Sequence, residues 1–353
     1  MEEGMRDGDC SRAARGRERR PRASLRRAGS RWHHATAMSR PAPVLYSPEY
    51  ECDIGRHVFP TQKFRLVRDA LIADGALDAK DILPAAPASR DDLLLVHTPE
   101  YLDDLEYLRW THRTRMSELP LTAAIVRAYV MAAGGTTCAA AEALGRGVAV
   151  HLGGGFHHAF ADLASGFCYI NDLAVAIRVH QRDGRVRRAA VVDCDLHQGN
   201  GTAHVFRDDP TVFTFSIHQE HLYPVKEKSD LDIGLENGTG DEEFNRRLAA
   251  ALPRVWEHRP ELVLYQAGAD PYEDDQLGAL KLTIEGLGAR DALVLEGCVE
   301  RGIPVVVTLG GGYARQVSDT VRIHRNTCAL ALELAARAEV DRLGAPPRPG
   351  GTG

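Results

Sequence analysis

Three ligand-type side chains occupy every second position at the end of one apolar run in this 353-residue chain: Asp193, Asp195 and His197 in "AAVVDCDLHQGNG", residues 189–201. Alternate residues of an extended strand share a face, so the three project together. Two carboxylates held side by side repel and resist desolvation, which calls for a positive partner. A catalytic divalent cation meets that demand, and so does a structural cation site or a salt-bridged strand end. Asp270, in "GAD", follows another apolar run and two small residues that let backbone approach an ion closely. Alone it suits a helix cap equally well. With Asp195 and His197 it makes two carboxylates and one imidazole, which neutralise a dication and leave a fourth position for water. That is the pattern of catalytic rather than structural zinc.

Other residues of the same chemical kind stand nearby in type. His157 and His158 follow three glycines in "GGGFHHA", where the backbone can turn so that both rings face one crevice. A neutral imidazole there can take a proton from water while a charged one stabilises developing negative charge; a surface His pair is the plain alternative. Tyr313 in "LGGGY" is either a packed aromatic or a phenol placed to donate to an oxyanion. Phe167 in "GFCYIND" reads as core when taken alone, and Cys168 and Cys194 read as buried thiols. The chain has no G-x-S-x-G elbow, no phosphate loop of the G-x-x-x-x-G-K-[ST] type, no complete G-x-G-x-x-G and no H-E-x-x-H.

The elements that must position these groups alternate along the chain. Short apolar runs predict strands at "PVLY" (43–46), "DLLLV" (92–96), "VAVHL" (148–152), "AAVVD" (189–193), "VFTFSI" (212–217), "ELVLYQ" (261–266) and "PVVVTL" (304–309). Several are apolar throughout, as in strands buried on both faces. Segments of helical spacing separate them at 61–74, 122–144, 172–183, 241–258, 283–302 and 317–338. The pattern predicts an α/β fold with a mainly parallel sheet covered by helices. "GGGFHHA", "CDLHQGNG", "HQEHLYP", "AGADPYEDDQLG" and "GGGY" each fall just past the carboxyl end of a predicted strand, the edge at which parallel sheets bind ligands.

Bulk properties narrow the class. Seven cysteines form an odd set without a C-x-x-C pair, which predicts reduced thiols and a cytoplasmic protein. No apolar stretch approaches the ~20 residues of a membrane helix, and the start does not resemble a secretory signal. Residues 1–37 carry ten Arg against five acids while the formal charge of the whole is −6, so the remainder is near −11. An acidic body excludes direct nucleic-acid binding. Residues 1–40 are expected to be a disordered, Arg-rich extension: a basic arm, an organellar presequence, or an upstream stretch preceding a true start at Met38. A catalytic domain is expected over 41–340 and a flexible Pro/Gly-rich tail over 341–353.

Taken in chain order, "GGGFHHA", "GFCYIND", "DCDLHQGNG", "GAD", "DQLG" and "GGGY" resemble the zinc-dependent histone deacetylase family of the arginase/deacetylase fold, over roughly residues 42–335. The opening "PVLYSPEY" and the "HQGNG" stretch look most like the class IV branch and its bacterial relatives. The sister ureohydrolases need a second metal and a different His/Asp order, which this chain lacks. The resemblance implies a single-domain three-layer α/β/α architecture and one catalytic Zn2+ bound by Asp195, His197 and Asp270. His157 and His158 would hold the water, with His158 as general base and later acid, and Tyr313 would polarise the acyl carbonyl. Gly166, Phe167 and Tyr223 would line a narrow tunnel, with Leu277 near its rim. Asp193 would pair with His157 and help hold a structural K+ with backbone oxygens of 195 and 197 and Ser216. Asn200 stands where many relatives carry an acid that partners the second histidine, and an amide brings no charge, so a less basic His158 is expected. The acidic rim residue that fixes the substrate backbone in some classes has no evident match. Three functions follow: removal of acyl groups from lysine side chains in proteins or peptides, deacetylation of small amines such as polyamines, or a scaffold that binds acyl-lysine with little turnover.

Overall fold

The structure, a computed structural model, describes residues 42–344, with side chains through 339. The extension expected over residues 1–40 lies outside the described residues. The last helix, Val317–Gly344, takes in the first four residues of the tail expected over 341–353; residues 345–353 lie outside the described residues.

Eight strands form one wholly parallel sheet: β1 (Val44–Tyr46), β2 (Ile82–Pro84), β3 (Val148–His151), β4 (Ala189–Asp193), β5 (Val212–Gln219), β6 (Leu231–Leu235), β7 (Leu262–Gln266) and β8 (Val305–Thr308). Their order is β2-β1-β3-β8-β7-β4-β5-β6. Six of the strands coincide with predicted runs. The seventh prediction, "DLLLV", is wrong: Arg90–Leu93 is a helical turn closed by a reciprocal cap, with Ser89 Oγ accepting from Asp92 N and the Asp92 carboxylate accepting from Ser89 N. Local capping chemistry overrides the apolar run there. The two unpredicted strands, β2 and β6, are outer strands, short and only partly buried. A half-exposed edge needs no continuous apolar sequence, which hid both.

Period-two alternation divides the sheet's side chains between two cores. Val305 and Val307 join Val192, Val263 and Tyr265 on one face, against Phe64, Leu248 and Leu287 from three of the covering helices. Val306, Val191 and Leu264 join the opposite core, against Ala139, Ala140, Leu173 and Ile177. The predicted three layers follow from that division. The helix Ala123–Arg146 is long and apolar enough by composition to cross a membrane, contrary to the absence expected from sequence, but 61% of its most apolar window is buried in this fold. Its alanines and glycines let it approach the sheet and its neighbour Asp172–Arg182 closely: a Cβ on Gly135 would stand 2.4 Å from His151 Nε2.

The strands ending in reactive motifs are β3, β8, β7, β4 and β5, which lie side by side in that order. Loops far apart in sequence therefore open onto one contiguous stretch of the sheet's carboxyl edge.

Candidate active site

The three predicted ligands meet. One ligand atom each from Asp195, His197 and Asp270 lies within 4.8 Å of the others, and all three residues are buried. Among the described residues this is the one such group of three or more metal-ligating side chains. His197 Nδ1 stands 3.3 Å from Asp195 Oδ1 and 3.2 Å from Asp270 Oδ2. The carboxylates are also held by backbone donors: Leu196 N to Asp270 Oδ1 at 3.0 Å, Gly311 N to Asp195 Oδ2 at 2.9 Å. Burial and the neighbouring Asp195 charge push Asp270 up to about 6. The two carboxylates, by hydrogen bond and charge, overcome burial and lift His197 to about 10.

Across from this cluster the two histidines lie with ring centroids 4.0 Å apart. Their geometries match and their partners differ. His157 Nδ1 is 2.6 Å from Asp193 Oδ2, and His158 Nδ1 is 2.7 Å from Asn200 Oδ1. For His157, burial alone would favour the neutral ring, but the charges of Asp193 and Asp195 outweigh it and raise the group to about 9. For His158, burial and the positive charges of His157 and His197 hold the ring well below its ordinary 6.5. The carboxylate partner thus favours the charged form of one imidazole, and burial beside an amide favours the neutral form of the other. The loop that carries them is anchored from behind: Asp172 accepts from Gly155 N at 3.0 Å and Phe156 N at 2.7 Å, and Gln266 Nε2 donates to Gly155 O at 2.7 Å. Asn171 Nδ2 donates to Ala159 O just after the pair.

Tyr313 closes another side. Its ring lies 5.9 Å from Phe167 and 6.3 Å from Phe59, and burial followed by the Asp270 and Asp195 charges keeps its phenol well above 10 and hence protonated. Asp275 accepts from Tyr313 N and from Leu277 N, both at 2.8 Å, so one carboxylate ties the tyrosine to the half-buried Leu277. Lys63, wholly buried, donates to Gly310 O at 2.5 Å, and burial lowers it to about 8 despite nearby acids.

Gly166 and Phe167 both have positive φ, 46° and 62°. A Cβ on Gly166 would stand 2.5 Å from His158 Cδ2, so the backbone there lies directly against the imidazole. Tyr129 Oη donates to Phe167 O, and Phe167 N donates to Ser117 O at 3.0 Å, which holds the strained turn. Tyr223 lies 5.4 Å from the His158 ring and 6.2 Å from His197, and its hydroxyl meets Ser165 Oγ at 2.6 Å. Ser216 is the strand partner of Asp193 across β4 and β5, and its Oγ meets His218 Nδ1 at 2.9 Å.

Comparison with known proteins decides the family. Residues 57–328 match the histone deacetylase domain. The chain belongs to the histone deacetylase family. It is 42% identical over 288 residues to an uncharacterized protein of Picosynechococcus sp., covering 80% of this chain and 95% of that one. It is 32% identical to histone deacetylase 2 of Arabidopsis thaliana (79% and 77% covered) and 32% identical to the acetoin utilization protein AcuC of Bacillus subtilis (69% and 70%). Among solved structures, a histone deacetylase homolog complexed with SAHA superposes with a TM-score of 0.72 at 28% identity, covering 84% of each chain. This deacetylase is therefore a family hydrolase with the arginase/deacetylase fold, in a zinc-dependent family whose substrates are acylated amines. Its buried Asp-His-Asp set fits such an ion in donor type, count and spacing.

Several supporting residues carry no sequence signal of their own. Asp172 and Asp275 lie inside the motifs "GFCYIND" and "DQLG", yet what they bond is visible only in three dimensions. Gln198 brackets the loop bearing Tyr223, accepting from Glu227 N at 2.8 Å and donating to Glu227 O at 2.6 Å. Glu118, exposed with φ 64°, follows the residue whose carbonyl holds Phe167, and its charge reaches both His57 and Tyr223. It is an acid one residue from the carbonyl that holds Phe167, and the sequence did not single it out.

Proposed function

We propose that this deacetylase removes acetyl or longer acyl groups from the side-chain amine of lysine in proteins, using one zinc ion at Asp195, His197 and Asp270. The observation that carries the reading is the meeting of that set with two adjoining imidazoles, one bonded to a carboxylate and one to an amide, and a buried phenol. The ion, when bound, supplies a Lewis acid for the acyl carbonyl and acidifies a water molecule. His158 donates its Nδ1–H to Asn200, which leaves Nε2 free to take a proton during attack and return it to the leaving amine. His157, charged beside Asp193, directs positive potential at the developing oxyanion. Tyr313 donates a hydrogen bond to the same oxygen.

Gly166, Phe167 and Tyr223 offer backbone and aromatic faces to the aliphatic stem, and Leu277 borders the rim. Asp193, Ser216 and the backbone oxygens of 195 and 197 are proposed to hold K+, a reading supported by the side-by-side register of Asp193 and Ser216. The six described cysteines are unpaired, which supports a reducing, cytoplasmic setting.

The test is turnover of fluorogenic acyl-lysine peptides across acyl lengths, with and without chelator, beside acetylpolyamines. Chelator-sensitive turnover on lysine carriers is expected. Faster turnover of acetylpolyamines would replace the carrier, and binding without turnover at any acyl length would leave a scaffold.

A further inference from the structure

Arg290 is the largest wholly buried side chain among the described residues, and no step above uses it. It sits in the helix Ile284–Glu300, beneath the sheet edge that carries the metal ligands. Its Nη1 donates to two backbone carbonyls, Gly268 O at 2.5 Å and Cys194 O at 3.2 Å. Cys194 immediately precedes Asp195, and Gly268 lies two residues before Asp270. Its Nε and Nη2 both donate to Asp291 Oδ1, at 3.0 and 2.8 Å. Asp291 in turn accepts from Tyr265 Oη and Thr327 Oγ1, each at 2.5 Å, so the guanidinium is held from behind in one orientation.

The position matters because the sheet ladder gives out there. β4 and β7 share a last backbone bond from Cys194 N to Gln266 O at 3.0 Å, after which the two ligand-bearing loops meet through the Asp270 carboxylate, which Leu196 N and His197 Nδ1 contact. Their carboxylates, Asp195 and Asp270, repel each other across a narrow gap, into which a Cβ on Gly268 would intrude at 2.4 Å from Asp195 Oδ2 and 2.7 Å from Asp270 Oδ1. We propose that Arg290 is a positioning residue that clasps the two ligand loops together and so presets the carboxylate spacing for the zinc ion. The inference rests on the metal reading above.

Charge and geometry make opposite demands. A cation under a metal site weakens metal binding by its field, whereas a clasp strengthens it. The paired replacement Arg290→Met with Asp291→Asn removes one charge of each sign, keeps partners for Tyr265 and Thr327, and deletes both carbonyl bonds. Its effect on affinity therefore reports geometry. The experiment is zinc affinity of the apo protein by competition with a chromophoric chelator, with the visible spectrum of the Co2+ form as a record of ligand geometry. Leu248→Ala, in the core of another helix, serves as a control of reduced stability. The paired variant is expected to lose about 10–100-fold in zinc affinity, the usual effect of removing a group that orients ligands, with an altered Co2+ spectrum, while the control keeps the wild-type affinity. Should the paired variant not fold, Arg290→Lys, whose single ammonium replaces the fork, carries the same expected direction. An unchanged affinity and spectrum in a folded variant overturns the clasp alone. A wild-type protein that takes up no divalent metal overturns the metal reading and the clasp with it.

Discussion

Asn200→Asp isolates the charge of one atom pair. His157 and His158 make nearly equal contacts through Nδ1, 2.6 Å to a carboxylate and 2.7 Å to an amide, in adjoining rings of equal burial. The carboxylate partner accompanies a ring raised to about 9, the amide partner a ring held well below 6.5. Asp is isosteric with Asn, so the substitution adds a negative charge at hydrogen-bond distance and leaves the packing alone. An opposite charge at that range raises a histidine by about 1–3 pKa units, roughly 1.4–4 kcal/mol. A general base works only when unprotonated, so the acid limb of the pH profile of kcat/KM should move upward by about that amount. Well above the new pKa, a more basic His158 should turn over at least as fast as the wild type. The assay is kcat/KM on one acyl-lysine substrate from acid to alkaline pH at constant ionic strength, with metal content checked in parallel. An acid limb that stays in place in a folded, fully metallated variant would refute the assignment of His158 as the base.

Other perturbations probe the remaining parts. His158→Ala should nearly abolish turnover while zinc content, measured by atomic emission, stays stoichiometric. Tyr313→Phe should lower kcat/KM by about 10²–10³-fold, the usual effect of deleting one oxyanion donor, and an unchanged rate would remove the phenol from the mechanism. Gly268→Ala would set a methyl 2.4 Å from Asp195 Oδ2 where ordinary contact begins at 3.4 Å; a shift of about 1 Å exceeds the ~0.2 Å tolerance of metal–ligand bonds, so the purified variant should carry little zinc. Burial lowers His97 from 6.5 to about 4 against the backbone carbonyls it faces. The unfolded chain therefore takes the proton first. Stability is full above pH 6.5 and falls as acid is added, by roughly 2 kcal/mol at pH 5. Urea unfolding of wild type against His97→Gln at neutral pH and pH 5 measures it, and equal acid slopes would contradict the burial argument.

What the sequence determined was the kind of chemistry and the strands that present it. Type and spacing singled out Asp193, Asp195 and His197, although β4 ends at Asp193 and the other two follow it in the loop, and mainly apolar runs marked β3, β4, β5, β7 and β8, because a strand buried on both faces leaves little room for polar residues. Strand–helix alternation then implied a parallel sheet and a shared carboxyl edge. Tertiary structure decided everything that depends on proximity between distant segments. Whether Asp270 could serve as a ligand rather than a cap depends on residues more than 70 positions away, and the fold brings its carboxylate to within 3.2 Å of His197 Nδ1 and beside Asp195. The charge states of two adjacent histidines follow from partners 36 and 42 residues downstream. Arg290, Asp172 and Asp275 act on the site only through folded backbone, so spacing in the chain gives no hint of them. β2 and β6 lie on the outer side of the sheet, where one solvated face relaxes the demand for apolar residues. Local patterns report burial and backbone conformation; the electrostatics of a site belong to groups that only the fold brings within a few ångströms.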